Sequence, residues 1–240
     1  MKTVHRDNQG LLLGLGVAAG AAAGFILGRR PGEYPWMPAY NCWEAALAEK
    51  HGRVRAALLA AKIQSRYEDL YAHRPPVKHP ALQMHLTRNI LPGLALYQTL
   101  LEETPDKPTA LAEVERLFRA NLLESDLYRQ ARLLEILPEP FAFLRIANRW
   151  TLAHNFPPQG WEIEWVEDSP DCIAYNITDC FYLRVLSAYG APELTPYFCA
   201  SDDQLFGNLK AISWERTKTL GRGDELCDFC LRRKPAAEYQ

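Results

Sequence analysis

The chain has 240 residues, 48% of them apolar and 23% charged, with an isoelectric point near 6.3. Those proportions exclude a disordered chain, a collagen-like one and a small disulfide-stapled scaffold. A formal charge of −2, from 27 Lys+Arg against 29 Asp+Glu, argues against a protein dominated by nucleic-acid phosphate contacts. The mean hydropathy of −0.24 is too polar for several membrane spans.

Six of the 14 glycines fall in one uncharged segment, GLLLGLGVAAGAAAGFILG, from Gly10 to Gly28. As a helix it is roughly 28 Å long, close to the thickness of a bilayer's hydrocarbon core. Lys2, Arg6 and Asp7 precede it and Arg29-Arg30 follow, with Tyr34, Trp36 and Tyr40 set among Pro31, Pro35 and Pro38. Aromatics at the headgroup level and prolines that stop the helix suit a single membrane anchor. A cleaved signal peptide fits less well, because the apolar run continues past Ala21–Ala23 to two arginines. The expected organisation is a tail over 1–9, a transmembrane helix over 10–28, a Pro/aromatic linker over 29–40 and one soluble domain over 41–240. Gly16, Gly20, Gly24 and Gly28 line one face, a groove that suits close packing with another membrane helix, self or other. All six cysteines lie in the soluble part, which favours the reducing, cytoplasmic side.

From Asn41 to about Phe156 the apolar spacing is helical. Arg53–Tyr71, His79–Glu103, Thr109–Leu123 and Phe141–Ala153 read as helices, with a kink expected at Pro92-Gly93. Then the period changes. Trp161, Ile163 and Trp165 alternate with glutamates and predict a strand with one buried face. Cys172–Thr178 reads as a second strand and Asp179–Tyr189 as a helix. Ala211–Leu220 and Leu226–Arg233 read as two strands joined by a Gly221–Asp224 hairpin turn. Helices first and strands later predict an α+β fold, a helical layer packed on a mostly antiparallel sheet.

The chemistry-bearing residues concentrate late in the chain. Cys227 and Cys230 form a Cys-x-x-Cys, but on a strand their side chains point to opposite faces and do not converge on one ion. His5, His51, His73, His79, His85 and His154 form no metal motif, and His85 reads as a hydrogen-bonded core residue on an apolar helix face. The sequence thus asks for no metal or cofactor. What remains is a polar set at element ends: Asn176, Thr178, Cys180, Cys199, Asp202, Asp203, Arg216, Thr219, Cys227 and Asp228. A thiol beside a carboxylate and an arginine can attack an electrophilic carbon or hold a small carboxylate.

The order of residues in NILPGLALYQTLLEE (Asn89–Glu103), NFPPQGWEIEWVE (Asn155–Glu167), AYNITDCFYLRVLSAYGAPELTPYFCASDDQLF (Ala174–Phe206) and WERTKTLGRGDELCDF (Trp214–Phe229) resembles the L-2-amino-thiazoline-4-carboxylic acid hydrolase family. The resemblance runs from about Leu70 to Leu231 and excludes the N-terminal segment. It implies a hydrolase that opens a thiazoline carboxylate to an N-carbamoyl-cysteine. The matching positions are Asn176, Thr178, Cys180, Cys199, Asp202, Arg216, Thr219, Gly223, Cys227 and Asp228, whereas Cys230 stands where the family has a basic residue. Catalytic roles are expected of Cys180, Cys199, Asp202 and Cys227, with Cys199 or Cys180 as nucleophile or proton donor and Asp202 as base. Substrate binding is expected of Asn176, Thr178, Arg216, Thr219 and Asp228, with Arg216 clamping a carboxylate. The Gly-x-x-x-Cys-Asp-Phe hairpin is also similar to that of 4-vinyl-reductase-like ligand-binding domains, which implies small-molecule binding without turnover. A non-catalytic accessory subunit of a membrane complex, joined through the glycine face, is the other alternative.

Overall fold

The computed structural model of the chain describes residues 40–235. The expected membrane helix, its glycine face at Gly16, Gly20, Gly24 and Gly28, and the linker up to residue 39 lie outside the described residues. Among the described residues no helix is long and apolar enough to cross a membrane.

The first two-thirds of the described chain is helical: α1 (Tyr40–His51), α2 (Arg53–Ala72), α3 (Pro80–His85), α4 (Leu91–Glu103), α5 (Lys107–Glu124), α6 (Asp126–Leu134) and α7 (Pro140–Asn155). Their starts carry the expected signals. Asp106 accepts the Thr109 N–H at 2.7 Å and Ser125 the Tyr128 N–H at 3.1 Å, satisfying donors that a first turn leaves unpaired. Helix α4 is the central rod. Leu91, Leu94, Ala95, Leu96, Tyr97 and Leu100 are all buried, and α2 and α5 pack on either side.

The break expected at Pro92-Gly93 lies one turn earlier. Helices α3 and α4 are continuous through a π-helical turn, Leu86–Ile90, closed by the Leu91 N–H on the Leu86 carbonyl. Pro92 has no N–H to give the Arg88 carbonyl, and the Thr87 carbonyl, which the wide turn deprives of the Leu91 N–H, accepts the Tyr67 hydroxyl at 2.9 Å instead. Gly93 serves another purpose. A Cβ there would come within 2.6 Å of the Phe198 ring and 2.8 Å of the Phe118 ring.

The remainder is β1 (Trp161–Asp168), β2 (Cys172–Cys180), α8 (Phe181–Ala188), α9 (Thr195–Phe206), β3 (Ile212–Glu215) and β4 (Cys227–Arg233). The strands form one antiparallel sheet in the order β1-β2-β4-β3. The α+β architecture therefore stands. Tyr175 and Phe229, paired across β2 and β4, stack at 4.9 Å between centroids, and with Ile173, Ile177 and Leu231 they join the core that the helices cover.

Two strand expectations need correction. Strand β1 does not bury a whole face: Trp161 is buried, but Trp165 is 46% exposed. It is the edge strand, and beyond Trp161 its side chains find partial cover, Trp165 from Tyr175 and the Arg149 guanidinium. The strand expected over Ala211–Leu220 ends at Glu215, and the link to β4 is a long loop rather than a tight hairpin turn. Side chains replace the ladder there. Asp228 accepts the N–H groups of Thr217 and Lys218 at 2.8 and 2.6 Å, and Asp224 accepts that of Thr219 at 2.7 Å. A short 3-10 turn, Leu220–Arg222, follows, closed by Gly223 at φ 94°, a left-handed conformation that suits glycine.

Candidate active site

A cavity of about 380 Å³ opens between the helical layer and the sheet. It collects Cys180 at the start of α8, Cys199 and Asp202 one turn apart on α9, Arg216 in the loop after β3, and Cys227 at the start of β4. These five residues come from several elements between residues 180 and 227, and all carry roles expected from the sequence. The other four stand behind or beside them.

Thr219 is buried and joins two thiols. Its hydroxyl donates to Cys199 Sγ at 3.4 Å and accepts from Cys227 Sγ at 3.6 Å and from the Gly221 N–H at 3.3 Å. The Cys227 sulfur in turn accepts the Leu220 N–H at 3.3 Å. Asp228 is spent on the loop, its carboxylate also taking the Thr217 hydroxyl at 2.5 Å. Asn176 pairs with Asp228 across the strands, outside the residues that line the cavity, and the buried Thr178 hydroxyl finds no partner among the described residues. Cys230 lies on the opposite face of β4 from Cys227, in register with Ala174 and Glu215. Among the described residues no group of three or more His, Cys, Asp or Glu side chains is arranged to hold a metal ion.

Arg216 is the best-anchored side chain in the site, only 3% exposed. It donates to Asp202 at 3.0 Å, to Asp203 at 2.8 Å and to the Cys199 carbonyl at 2.9 Å, with the Phe229 ring 5.2 Å away. A guanidinium committed in this way holds α9 to the loop. Its bonds all go to the protein, so its evident work is to position Asp202 and α9.

Electrostatics separate the carboxyl from the thiols. Burial pushes the Asp202 carboxyl up to about 6; Arg216 opposes the shift and Asp203 adds to it. Its side chain is 39% accessible, and the surface it shows belongs to the cavity wall rather than to open solvent. Burial also raises Cys180, and it pushes Cys199 up to about 12 against a lowering bond from Thr219. Both sulfurs are neutral thiols at physiological pH. A nucleophilic role for either would need a neighbouring base to take the thiol proton.

Several site residues were not singled out from the sequence. Asn89, on the π-turn, and Tyr182, on α8, line the cavity together with Arg88 and Ser201. Asn89 Nδ2 donates to Tyr182 Oη at 2.9 Å, and Tyr182 donates to His85 Nδ1 at 2.9 Å. The His85 Nε2–H donates to the Asn155 carbonyl at 2.9 Å, which fixes the neutral tautomer because a carbonyl only accepts. Burial agrees, holding His85 down at about 4. His85 is thus the hydrogen-bonded core histidine expected, now with a position in the cavity's second layer. Asn89 and Tyr182 both fall within the quoted motif stretches, which was the available signal.

No curated protein and no solved structure matches this chain. A family model does, over residues 83–231, which is more than half of the chain and covers the π-turn, α9, the loop after β3 and most of β4. The cavity's polar residues from Arg88 to Cys227 all lie within that match, and the chain belongs to the L-2-amino-thiazoline-4-carboxylic acid hydrolase family.

Proposed function

We propose that the protein is a hydrolase that opens a cyclic amidine such as a 2-amino-thiazoline, with Asp202 as the group that moves the proton. Family membership supports hydrolysis. The observation that carries the assignment is a carboxyl with a proton affinity near neutrality on the wall of a cavity.

The step balances with water alone. Water adds to C2 of the ring and gives one proton to the Asp202 carboxylate, while the C2=N3 pair moves onto N3 and leaves a tetrahedral carbon. The C2–S bond then breaks as C2=O forms: the remaining hydroxyl proton passes to N3, sulfur takes the electron pair of the broken bond, and the proton held on Asp202 goes to the departing sulfur. The product is a urea with a free thiol. One group serves as base and then acid, which a carboxyl near 6 does and a thiol near 12 does not. Cys180, Cys199 and Cys227 then act as a polarisable wall beside the ring sulfur. Arg216 holds Asp202 in place and stabilises its charged form.

The tether belongs to the same proposal. Residues 10–28 anchor the enzyme in a bilayer, with the domain on the cytoplasmic face; the uncharged 19-residue run and its flanking arginines support this reading.

The test is ring opening of 2-amino-thiazoline-4-carboxylate by the full-length protein, with N-carbamoyl-cysteine followed by chromatography. Asp202→Asn should lower kcat by about 10²–10⁴-fold, the range for loss of a general base. Cys199→Ser should stay within about tenfold, because its thiol is neither base nor nucleophile. Full activity in Asp202→Asn would falsify the assignment. Tight ligand binding without turnover would replace it with the binding-module reading.

A further inference from the structure

Volume and lining of the cavity point to a larger guest than a bare five-membered ring. At about 380 Å³ the cavity lies in the range that encloses drug-sized ligands. A five-membered ring with one amino and one carboxyl group fills only a fraction of it. The lining is aromatic from six elements: Trp43 on α1, Phe118 on α5, Trp161 on β1, Tyr182 on α8, Phe198 on α9 and Phe229 on β4. Phe198 is tilted against Phe118 at 4.8 Å and set edge-on to Tyr182 at 5.1 Å. Such a wall offers faces and edges together, which is what a flat aromatic guest pairs with. Gly93 keeps these rings where they are, since a side chain there would collide with Phe198 and Phe118.

The charged residues on the lining are Arg88, Asp202 and Arg216, and Arg216 bonds Asp202, Asp203 and the Cys199 carbonyl. The aromatic wall is what this lining offers a substituent on the ring, and Arg88 is the residue whose removal tests for recognition of an acid group.

We propose, resting on the hydrolase reading above, that the preferred substrate is a cyclic amidine with an aromatic substituent, its ring carbon facing Asp202 and its substituent against the Phe118–Phe198–Tyr182 wall. The full-length protein is assayed on 2-amino-thiazoline-4-carboxylate and on 2-amino-4-phenyl-thiazoline, with kcat/KM measured for each. The expected result is an advantage of fivefold or more for the phenyl compound, narrowed in Phe198→Ala. An advantage below fivefold, or a preference for the carboxylate that Arg88→Gln removes, overturns the substrate class and leaves the hydrolase reading intact. If neither compound is opened, the hydrolase reading fails, and calorimetric titration decides the guest class by itself. Fivefold tighter binding of the phenyl compound then supports the aromatic wall as the recognition element, and anything weaker overturns it.

Discussion

His85 and Asp202 are both withdrawn from water, and burial moves them in opposite directions with opposite effects on the fold. His85 titrates at about 4 in the folded chain against its ordinary 6.5. As pH falls through 6.5 the unfolded chain takes the proton first, so stability is lost between 6.5 and 4, by about 3 kcal/mol. Asp202 titrates at about 6 against its ordinary 3.8, so the folded chain takes that proton first and acidification from 6 to 4 favours the fold. His85→Gln keeps a donor for Asn155 and an acceptor for Tyr182 and removes the titration. Its unfolding midpoint should decline less than the parent's between pH 7 and 4, and that of Asp202→Asn should decline more. An unchanged slope in His85→Gln would sink the account. Catalysis has its own pH signature, because the basic form of Asp202 is the active one: kcat/KM should rise through pH 6 and then level. At this scale the sequence was informative about identity and poor on employment. Asp202 and Arg216 were legible as a carboxylate and a cation near thiols. That Asp203 and a main-chain carbonyl would consume the guanidinium depends on where α9 lies against the loop, and spacing along the chain carries no trace of that.

One helix wall of the cavity hangs on a single buried carboxylate. Glu113 on α5 is 3% exposed and accepts from Arg116 on its own helix and from Lys50 on α1, at 2.6 and 2.7 Å. Burial works to raise its pKa, but the bonds from Arg116 and Lys50 outweigh it and hold the group at about 2. The same pair of helices meets again where Trp43 stacks on Phe118, 6.2 Å apart and nearly parallel, both of them lining the cavity. Glu113→Gln should therefore destabilise the domain by about 2 kcal/mol at neutral pH, the worth of hydrogen bonds to a charged group whose cations are partly solvated. It should also raise KM more than it lowers kcat, since α1 loosens and Asp202 does not move. An effect on kcat alone, or none on thermal unfolding, would contradict this. The sign with pH is clear: a depressed carboxylate stabilises above its unfolded pKa, so parent and variant should converge as pH falls from about 4.5 toward 2. Elements with a strong period, α2, α5, α7 and β2, were readable within a few residues. The segment from Arg216 to Thr219 was not, because its β-like composition is overridden by Asp228 and Asp224, whose carboxylates take the N–H groups that a strand partner would have taken. The π-turn is similar: Pro92 announced a disturbance, but the chain relieves it upstream, where Arg88 and Asn89 are turned onto the cavity.

At the scale of the whole molecule, a site assembled from residues as distant as Trp43 and Phe229 requires the entire domain to be folded before it exists. The anchor proposed above is not needed for that, nor for chemistry on a small polar molecule. It has a clearer purpose if the substrate is apolar enough to partition into a bilayer, or if the glycine face recruits a second membrane helix. The two uses separate experimentally. Replacing Gly20 and Gly24 by leucine keeps the segment apolar, so insertion is retained, while side chains fill the groove and prevent close approach of a partner helix. We propose that this face holds a membrane partner, self or other. The full-length protein purified in mild detergent should run as a larger species than its own mass, and Gly20→Leu/Gly24→Leu should reduce it to a lone chain by light scattering. Ring-opening activity in detergent should be unaffected, because the substitutions leave the cavity residues from Trp43 to Phe229 unchanged. A parent that already behaves as a lone chain, or a variant of unchanged size, would leave the glycines as ordinary membrane-helix composition and the anchor as a simple tether.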